Sequence, residues 1–190
     1  IHRYAMTQEV ERAHQCIDLA KSGKIVSLVS SGDPGIYGMA GLIYETLAAT
    51  GWDPSDGLEV EIIPGVSALN SCASIVGSPL MTDFAVVSMS DLMVPWEIIQ
   101  KRVESAAQGD FVLVIYNPKS KKRIHQLQDT QKILLKHRKP TTPVAIIKSA
   151  YRESETIVMT NLENLLNFDE ELGMTSTVIV GNSSTYTYKD

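Results

Sequence analysis

The sequence of 190 residues predicts an α/β fold of two domains, with a mostly parallel first sheet, truncated at its start, and a mixed second sheet. Three observations indicate this class. Apolar runs that are typical of buried strands alternate with segments of helical periodicity. Turns that contain glycine or proline follow several of these runs. Near the C-terminus, only a short polar turn separates two strand patterns, which favours antiparallel pairing there.

The first domain has the predicted order α-β-α-β-α, which indicates parallel strands joined by helical crossovers. Thr7 is a plausible N-cap for the first helix, and Gly23 follows its last turn. The elements after it are a strand at 24–29, a helix from 40 to about 50, a strand at 58–63 and a helix at 64–75. Because the domain opens on a helix, we expect the chain to be a fragment that has lost an earlier strand.

The second domain begins after a boundary that we place near residues 86–92, which gives domains 1–88 and 89–190. The predicted elements of the second half of the chain are a strand at 84–89, a helix at 95–107, a strand at 111–116, a helix at 121–137, strands at 144–148 and 155–159, a short helix at 162–166 and a last strand at 176–181.

Composition excludes several functional classes. The net charge of −5 does not favour nucleic-acid binding, and no apolar run reaches the roughly 20 residues of a transmembrane helix. Cys16 and Cys72 have no CxxC spacing, so we expect two reduced thiols in a cytoplasmic protein. The four histidines share no metal-ligand spacing, and we expect no metal site.

The loop at residues 30–39 is the most informative segment. It joins a predicted strand to a predicted helix, and its glycines allow a ligand to lie against bare backbone. The free N–H groups of the helix start point to the same place. Asp33 would repel a phosphate but suits a ribose hydroxyl or a cation. The loop therefore predicts a nucleoside-type ligand without phosphate.

Three loops, at 31–36, 64–68 and 116–123, follow predicted strands. In open α/β sheets ligands bind just beyond the carboxyl ends of strands, so three such loops favour one shared pocket. The alternative is that Gly-Asp-Pro and Pro-Gly only form turns.

A basic run, Lys119, Lys121, Lys122 and Arg123, falls at the predicted start of a helix. The helix dipole disfavours cations there, which suggests a role in binding carboxylates or phosphates. A solvated surface is the alternative interpretation.

Four segments carry a family resemblance: SSGDPGIYGMAG, EIIPGVSALNSCASIVGSPL, SMSDLMVPWEIIQKR and VIYNPKSKKR. Together they resemble the tetrapyrrole methylases of cobalamin biosynthesis over nearly the whole chain. The first two segments are general to that family, whereas the last two are similar to its C17-methyltransferases, which act on precorrin-3B or cobalt-factor III. The opening strand and GxGPG loop of the family are absent from this sequence.

The resemblance implies binding of S-adenosylmethionine in a cleft between two α/β domains, and methyl transfer to C17 coupled to ring contraction. It implies these cofactor-binding residues: Ser31, Gly32, Asp33, Ile36, Ser67, Ala68, Tyr116, Asn117 and Ala150. For the carboxylate-rich tetrapyrrole, the candidates are Ser90, Asp91, Lys119, Lys121, Lys122 and Arg123. No catalytic residue is identified, and a homodimer is expected. The alternatives are another tetrapyrrole methylase of the same pathway and a non-catalytic ligand-binding fragment.

Overall fold

A computed structural model describes residues 1–5, 8–120, 125–168 and 171–188. The chain divides into two compact units, Ile1–Ser67 and Ala68–Asp190. The helices are α1 (Glu9–Lys21), α2 (Ala40–Ala49), α3 (Ala68–Ile75), α4 (Trp96–Gln108) and α5 (Gln126–Leu135), with short 3₁₀ helices at Pro54–Asp56 and Leu165–Asn167. The strands are β1 (Phe84–Ser88), β2 (Val112–Tyr116), β3 (Pro143–Lys148), β4 (Thr156–Asn161) and β5 (Ser176–Val180).

The first unit is built on α1 and α2, whose apolar faces meet. Ala13 and Ile17 of α1 are buried in one cluster with Ile43 and Leu47 of α2. These residues recur at helical spacing, so each helix turns one stripe towards the other.

The strands predicted at 24–29 and 58–63 do not form, and neither does the parallel first sheet within the described residues of this unit. Leu28 and Leu58 pack against the helical cluster, but Ile25 is fully exposed and Ile63 is 65% exposed. A strand requires a neighbour for its backbone hydrogen bonds, and an apolar run supplies only the side chains. These two predictions are therefore wrong for the structure described here.

The second unit contains one mixed five-stranded sheet in the order β1-β2-β5-β3-β4. β1 pairs with β2 in parallel, and the remaining neighbours pair antiparallel. Helix α4 joins the two parallel strands, as a crossover connection must. This sheet confirms the predicted α/β class and its mixed part, including the β3–β4 hairpin.

Helices cover both faces of this sheet. Alternate residues of the strands, such as Leu113 and Val114, belong to different buried clusters. The cluster of Leu113 includes residues of α4 and α5, and the cluster of Val114 includes residues of α3. Because its central strands are buried on both sides, they read as continuous apolar runs.

The boundaries of several elements differ from the predictions. Helix α3 begins at Ala68 rather than at residue 64, and α5 begins at Gln126 rather than at 121. The proposed N-cap Thr7 lies outside the described residues. Strand β1, which the predicted boundary near 86–92 places in the first domain, pairs with β2 in the second unit.

Candidate functional site

Asp33 connects two of the three predicted loops. Its Oδ1 accepts a hydrogen bond from the Gly35 N–H at 2.7 Å, and its Oδ2 accepts one from the Gly65 N–H at 3.0 Å. Hydrogen bonds from the backbone hold the pKa of Asp33 below its ordinary value, and the bond from Gly65 contributes most, followed by that from Gly35. The carboxylate is therefore charged at neutral pH and joins the loop at 31–36 to the loop at 64–68.

The backbone at this connection leaves no room for a side chain at position 65. A Cβ at Gly65 would lie 2.2 Å from the carbonyl oxygen of Gly32, and Gly32 itself has a φ of +79°. Glycine is the residue that adopts such a φ at no steric cost. The two glycines therefore allow the loops to approach within hydrogen-bonding distance of one carboxylate.

The other predicted cofactor residues of the first unit differ in accessibility. Ser31 is exposed, Ile36 is 38% exposed and Ser67 is buried. Tyr37, which the sequence analysis did not single out, has a φ of +53° and is 56% exposed. A positive φ is uncommon for an aromatic residue, and such conformations cluster at ligand-binding loops.

Tyr116 fixes the start of α3 in the second unit. Its hydroxyl oxygen accepts a hydrogen bond from the Leu69 N–H at 2.6 Å. Ala68, Tyr116 and Ala150 also pack against the same buried cluster. Three predicted cofactor residues, which are distant in sequence, are thus brought to one region of this unit.

Ser88 is the centre of a hydrogen-bond cluster at the ends of β1 and β2. Its Oγ accepts hydrogen bonds from the Asn117 Nδ2 at 3.1 Å and the Ser90 N–H at 3.2 Å. Asn117 has a φ of +51°, a conformation that asparagine tolerates better than most residues. Sequence reasoning identified Ser90 and Asn117 but missed Ser88, because its hydroxyl acquires a role only when β1 and β2 are paired.

The charged candidates are placed only in part. Asp91 accepts a hydrogen bond through its Oδ2 from the Gln126 Nε2 at 3.2 Å, and Lys119 is half-buried. Lys121, Lys122 and Arg123 lie outside the described residues. The dipole of α5 does not act on Lys119 as predicted, because this helix begins seven residues later, at Gln126.

The turn after β3 holds Ala150 between two residues with positive φ, Ser149 at +53° and Tyr151 at +59°. The Ser149 N–H donates to the Thr175 carbonyl at 3.1 Å, and the Tyr151 hydroxyl lies 2.9 Å from the Ser74 Oγ of α3. Tertiary contacts therefore hold a strained turn at this edge of the sheet.

The candidate residues of the second unit share one edge of the sheet. Ser88 is opposite Tyr116, and both Tyr116 and Ile147 are opposite Thr177. The carboxyl ends of β1, β2 and β3 therefore lie at this edge, with the loops after them. The polar and backbone groups here can bind hydroxyl, amide and cationic groups.

Possible metal ligands and cysteine thiols are the other groups to consider in the described ranges. No group of three potential metal ligands occurs there. Cys16 and Cys72 are free, and burial raises the pKa of both thiols. A raised pKa lowers the fraction of reactive thiolate at neutral pH. In the part of the chain that the structure describes, no helix has the length and apolar character to cross a bilayer.

The family model of tetrapyrrole (corrin/porphyrin) methylases matches residues 3–166. The chain is 55% identical over 185 residues to the cobalt-factor III methyltransferase of Priestia megaterium, covering 97% of this chain and 34% of that protein. It is 44% identical over 181 residues to a probable cobalt-factor III C(17)-methyltransferase of Salmonella typhimurium, covering 95% of this chain and 73% of that protein. The family resemblance seen in the sequence is thereby confirmed.

Among solved structures, the crystal structure of the methyltransferase CobJ is similar to this fold. Its TM-score is 0.90 at 34% sequence identity, and the match covers 99% of this chain and 77% of that one. The chain thus spans about a third of the length of the first of these relatives and about three quarters of the other two.

Proposed function

We propose, because the chain belongs to the tetrapyrrole methylase family, that it acts as an S-adenosylmethionine-dependent methyltransferase on C17 of cobalt-factor III or precorrin-3B in cobalamin biosynthesis. The contraction of the macrocycle is proposed to accompany this transfer. The observation that carries the proposal is the 55% identity, over 97% of the chain, to a protein named for methylation of cobalt-factor III.

The cofactor is proposed to contact Ser31, Gly32, Asp33 and Ile36 in the first unit and Tyr116, Asn117 and Ala150 in the second, with Ser67 and Ala68 between them in sequence. The loop at Asp33 fits a nucleoside sulfonium in two respects. A carboxylate has about four acceptor sites, so that of Asp33 keeps acceptor capacity beyond its hydrogen bonds from Gly35 and Gly65. A Cβ at Gly32 would face open space, so the backbone there is accessible to a ligand.

The chemistry requires positioning more than proton transfer. When bound, S-adenosylmethionine supplies a methyl group whose bond to sulfur breaks as the bond to C17 forms, while sulfur keeps the electron pair. The protein must then hold the two reactants in line, and such positioning can contribute about 7–11 kcal/mol. The Asp33 and Tyr116 hydrogen bonds suit this task, because each fixes a loop or a helix start by a contact distant in sequence.

The substrate is proposed to be held by Ser90, Asp91 and Lys119 and by the basic residues Lys121, Lys122 and Arg123. A tetrapyrrole of this pathway has carboxylates on its rim, and lysine and arginine bind carboxylates through charge-assisted hydrogen bonds. Ser90 and Asp91 lie in the loop after β1. A homodimer in the cytoplasm is proposed as the state in which the enzyme acts, and light scattering of the purified protein would test the dimer.

The decisive experiment is methylation by the full-length protein. Cobalt-factor III and precorrin-3B are each incubated with ¹³C-methyl-labelled S-adenosylmethionine, and the product is examined by mass spectrometry and ¹³C NMR. We expect one labelled methyl group, attached to C17. Label at another ring carbon, or methylation of cobalt-precorrin-4 alone, would indicate another enzyme of the pathway. Binding of both ligands without methyl transfer would indicate a non-catalytic protein.

A further inference from the structure

Two large apolar side chains are exposed to solvent at the edge of the sheet where the candidate residues of the second unit lie. Leu92 and Met93 are each 87% exposed, in the loop between β1 and α4. We propose that these two side chains form the apolar contact for one face of the tetrapyrrole ring. This inference rests on the proposed function, because it identifies how the substrate of that reaction is recognised.

The base of this loop is firmly attached to the sheet. Met89 is fully buried, and its N–H donates to the Tyr116 carbonyl at 2.9 Å. The Ser90 N–H donates to the Ser88 Oγ, and Asp91 accepts from Gln126. The loop therefore leaves the sheet from a fixed position beside the strand end of Tyr116.

The far side of the loop is equally well defined. Val94 and Trp96 pack against the main buried cluster. The Pro95 carbonyl accepts hydrogen bonds from the N–H groups of Ile98 at 3.0 Å and Ile99 at 3.3 Å, which begins α4. The tip between these anchors exposes the side chains of Leu92 and Met93. Adjacent exposed apolar side chains beside a candidate site offer a surface for an apolar contact.

The chemistry of the tip and its surroundings matches a flat macrocycle. A tetrapyrrole has a broad apolar face and a polar rim, so its binding site needs apolar contacts beside polar ones. Leucine supplies apolar area, and methionine adapts its flexible, polarisable side chain to a planar surface. Ser90 lies two residues before Leu92, and Lys119 follows the neighbouring strand, so polar groups for the rim lie close to the tip in sequence or on the adjacent strand.

The test uses the full-length protein with both tip residues changed, Leu92→Ser together with Met93→Ser. We expect the Kd of cobalt-factor III, from an absorbance titration, and its KM to rise by about tenfold or more. The Kd of S-adenosylmethionine, from calorimetry, should remain within about twofold of the wild type. A second double variant, Leu92→Met with Met93→Leu, should bind cobalt-factor III with the affinity of the wild type, because it keeps the apolar area.

Met81→Ser is the matched control. Met81 is 81% exposed but precedes β1, at the opposite end of that strand. We expect this variant to bind cobalt-factor III as the wild type does. An equal loss in both variants would overturn the inference, since it would reflect general loss of apolar surface.

Four other outcomes separate the possible failures. An unchanged Kd for cobalt-factor III in the double variant would overturn the inference and leave the proposed function intact. A double variant that becomes monomeric, with unchanged substrate affinity, would also overturn it and assign the tip to a second copy of the chain. If the wild type binds the tetrapyrrole without methylating C17, the proposed function fails, and the affinity ratio still decides the inference. A wild type that binds no tetrapyrrole overturns both.

Discussion

The two compact units differ in how their backbone is held in place. In the second unit, five strands pair through a continuous set of hydrogen bonds, and helices cover both faces of the sheet. In the described residues of the first unit, two helices form the buried cluster, and the loops are joined through the carboxylate of Asp33. The second unit thus depends on many similar strand-pairing hydrogen bonds, whereas the loops of the first unit depend on the few hydrogen bonds that Asp33 accepts. A single substitution should therefore act differently in each.

The largest expected effect is on the free energy of unfolding. It compares an apolar residue of strand β3 with one of the apolar run at 24–29, which forms no strand. Ile146 lies in β3 between its partners on β4 and β5 and is 1% exposed. Ile146→Ala should lower the free energy of unfolding by about 2–5 kcal/mol, because it leaves a cavity in a packed core. Ile25→Ala is the matched variant in the first unit, where the side chain is fully exposed. It should change stability by no more than about 0.5 kcal/mol.

Urea unfolding followed by circular dichroism measures both values. A large loss for Ile25→Ala would show that the run at 24–29 is packed in solution, and the contrast between the units would then fail.

A second effect concerns the loop contact at Gly65. Gly65→Ala places a Cβ 2.2 Å from the Gly32 carbonyl oxygen, and relief of such a clash typically costs about 1–3 kcal/mol. The loops must then separate, so we expect the affinity for S-adenosylmethionine, from calorimetry, to fall by about tenfold.

Gly41→Ala is the control for this prediction. Gly41 lies in α2, and a Cβ there would meet nothing within 4 Å. Its cofactor affinity should match the wild type, and helix α2 should become slightly more stable. Wild-type affinity in Gly65→Ala would mean that the loop contact is unimportant for the cofactor.

The smallest effect is local and depends on pH. The Gly65 and Gly35 N–H groups lower the pKa of Asp33 in the folded protein. Its contribution is therefore complete above the ordinary carboxyl pKa of about 3.9 and is lost as the pH falls through the lower folded value. The amide proton shifts of Gly35 and Gly65, followed by NMR between neutral and acid pH, should titrate with a midpoint below that ordinary value.

Asp33→Asn is the control, because it keeps one acceptor oxygen but has no titrating carboxyl group. The same two shifts should then be independent of pH in this range. A midpoint at or above the ordinary carboxyl pKa in the wild type would contradict the role of Asp33 as a charged acceptor.

Local pattern predicted the second unit well. The buried strand at 112–116 is a continuous apolar run, the strand at 176–180 ends in three consecutive apolar residues, and the hairpin of β3 and β4 has a short polar turn. For these segments the periodicity and the tertiary contacts agree. The run at 24–29 has a similar pattern but no pairing neighbour in the described residues, so the same reasoning failed there.

The sequence identified several residues of the candidate site but did not predict what each of them does in the structure. The glycines and Asp33 were found because a glycine-rich turn after an apolar run is an unusual local signal. Asp33 was expected to select a ligand by charge, whereas it also bridges two loops. Ser88 was missed, because a single serine in a strand has no local signature.

The α/β class, the helices and strands of the second unit, the glycine loops and the resemblance to tetrapyrrole methylases could all be predicted from the amino-acid sequence. Each of these depends on neighbouring residues or on a local motif. The hydrogen bonds that Asp33 accepts from Gly65, 32 residues away, and that Tyr116 accepts from Leu69, 47 residues away, became visible only in the folded chain. The reason is physical: a hydrogen bond between distant segments depends on where the fold places both partners, and neither segment encodes that position alone.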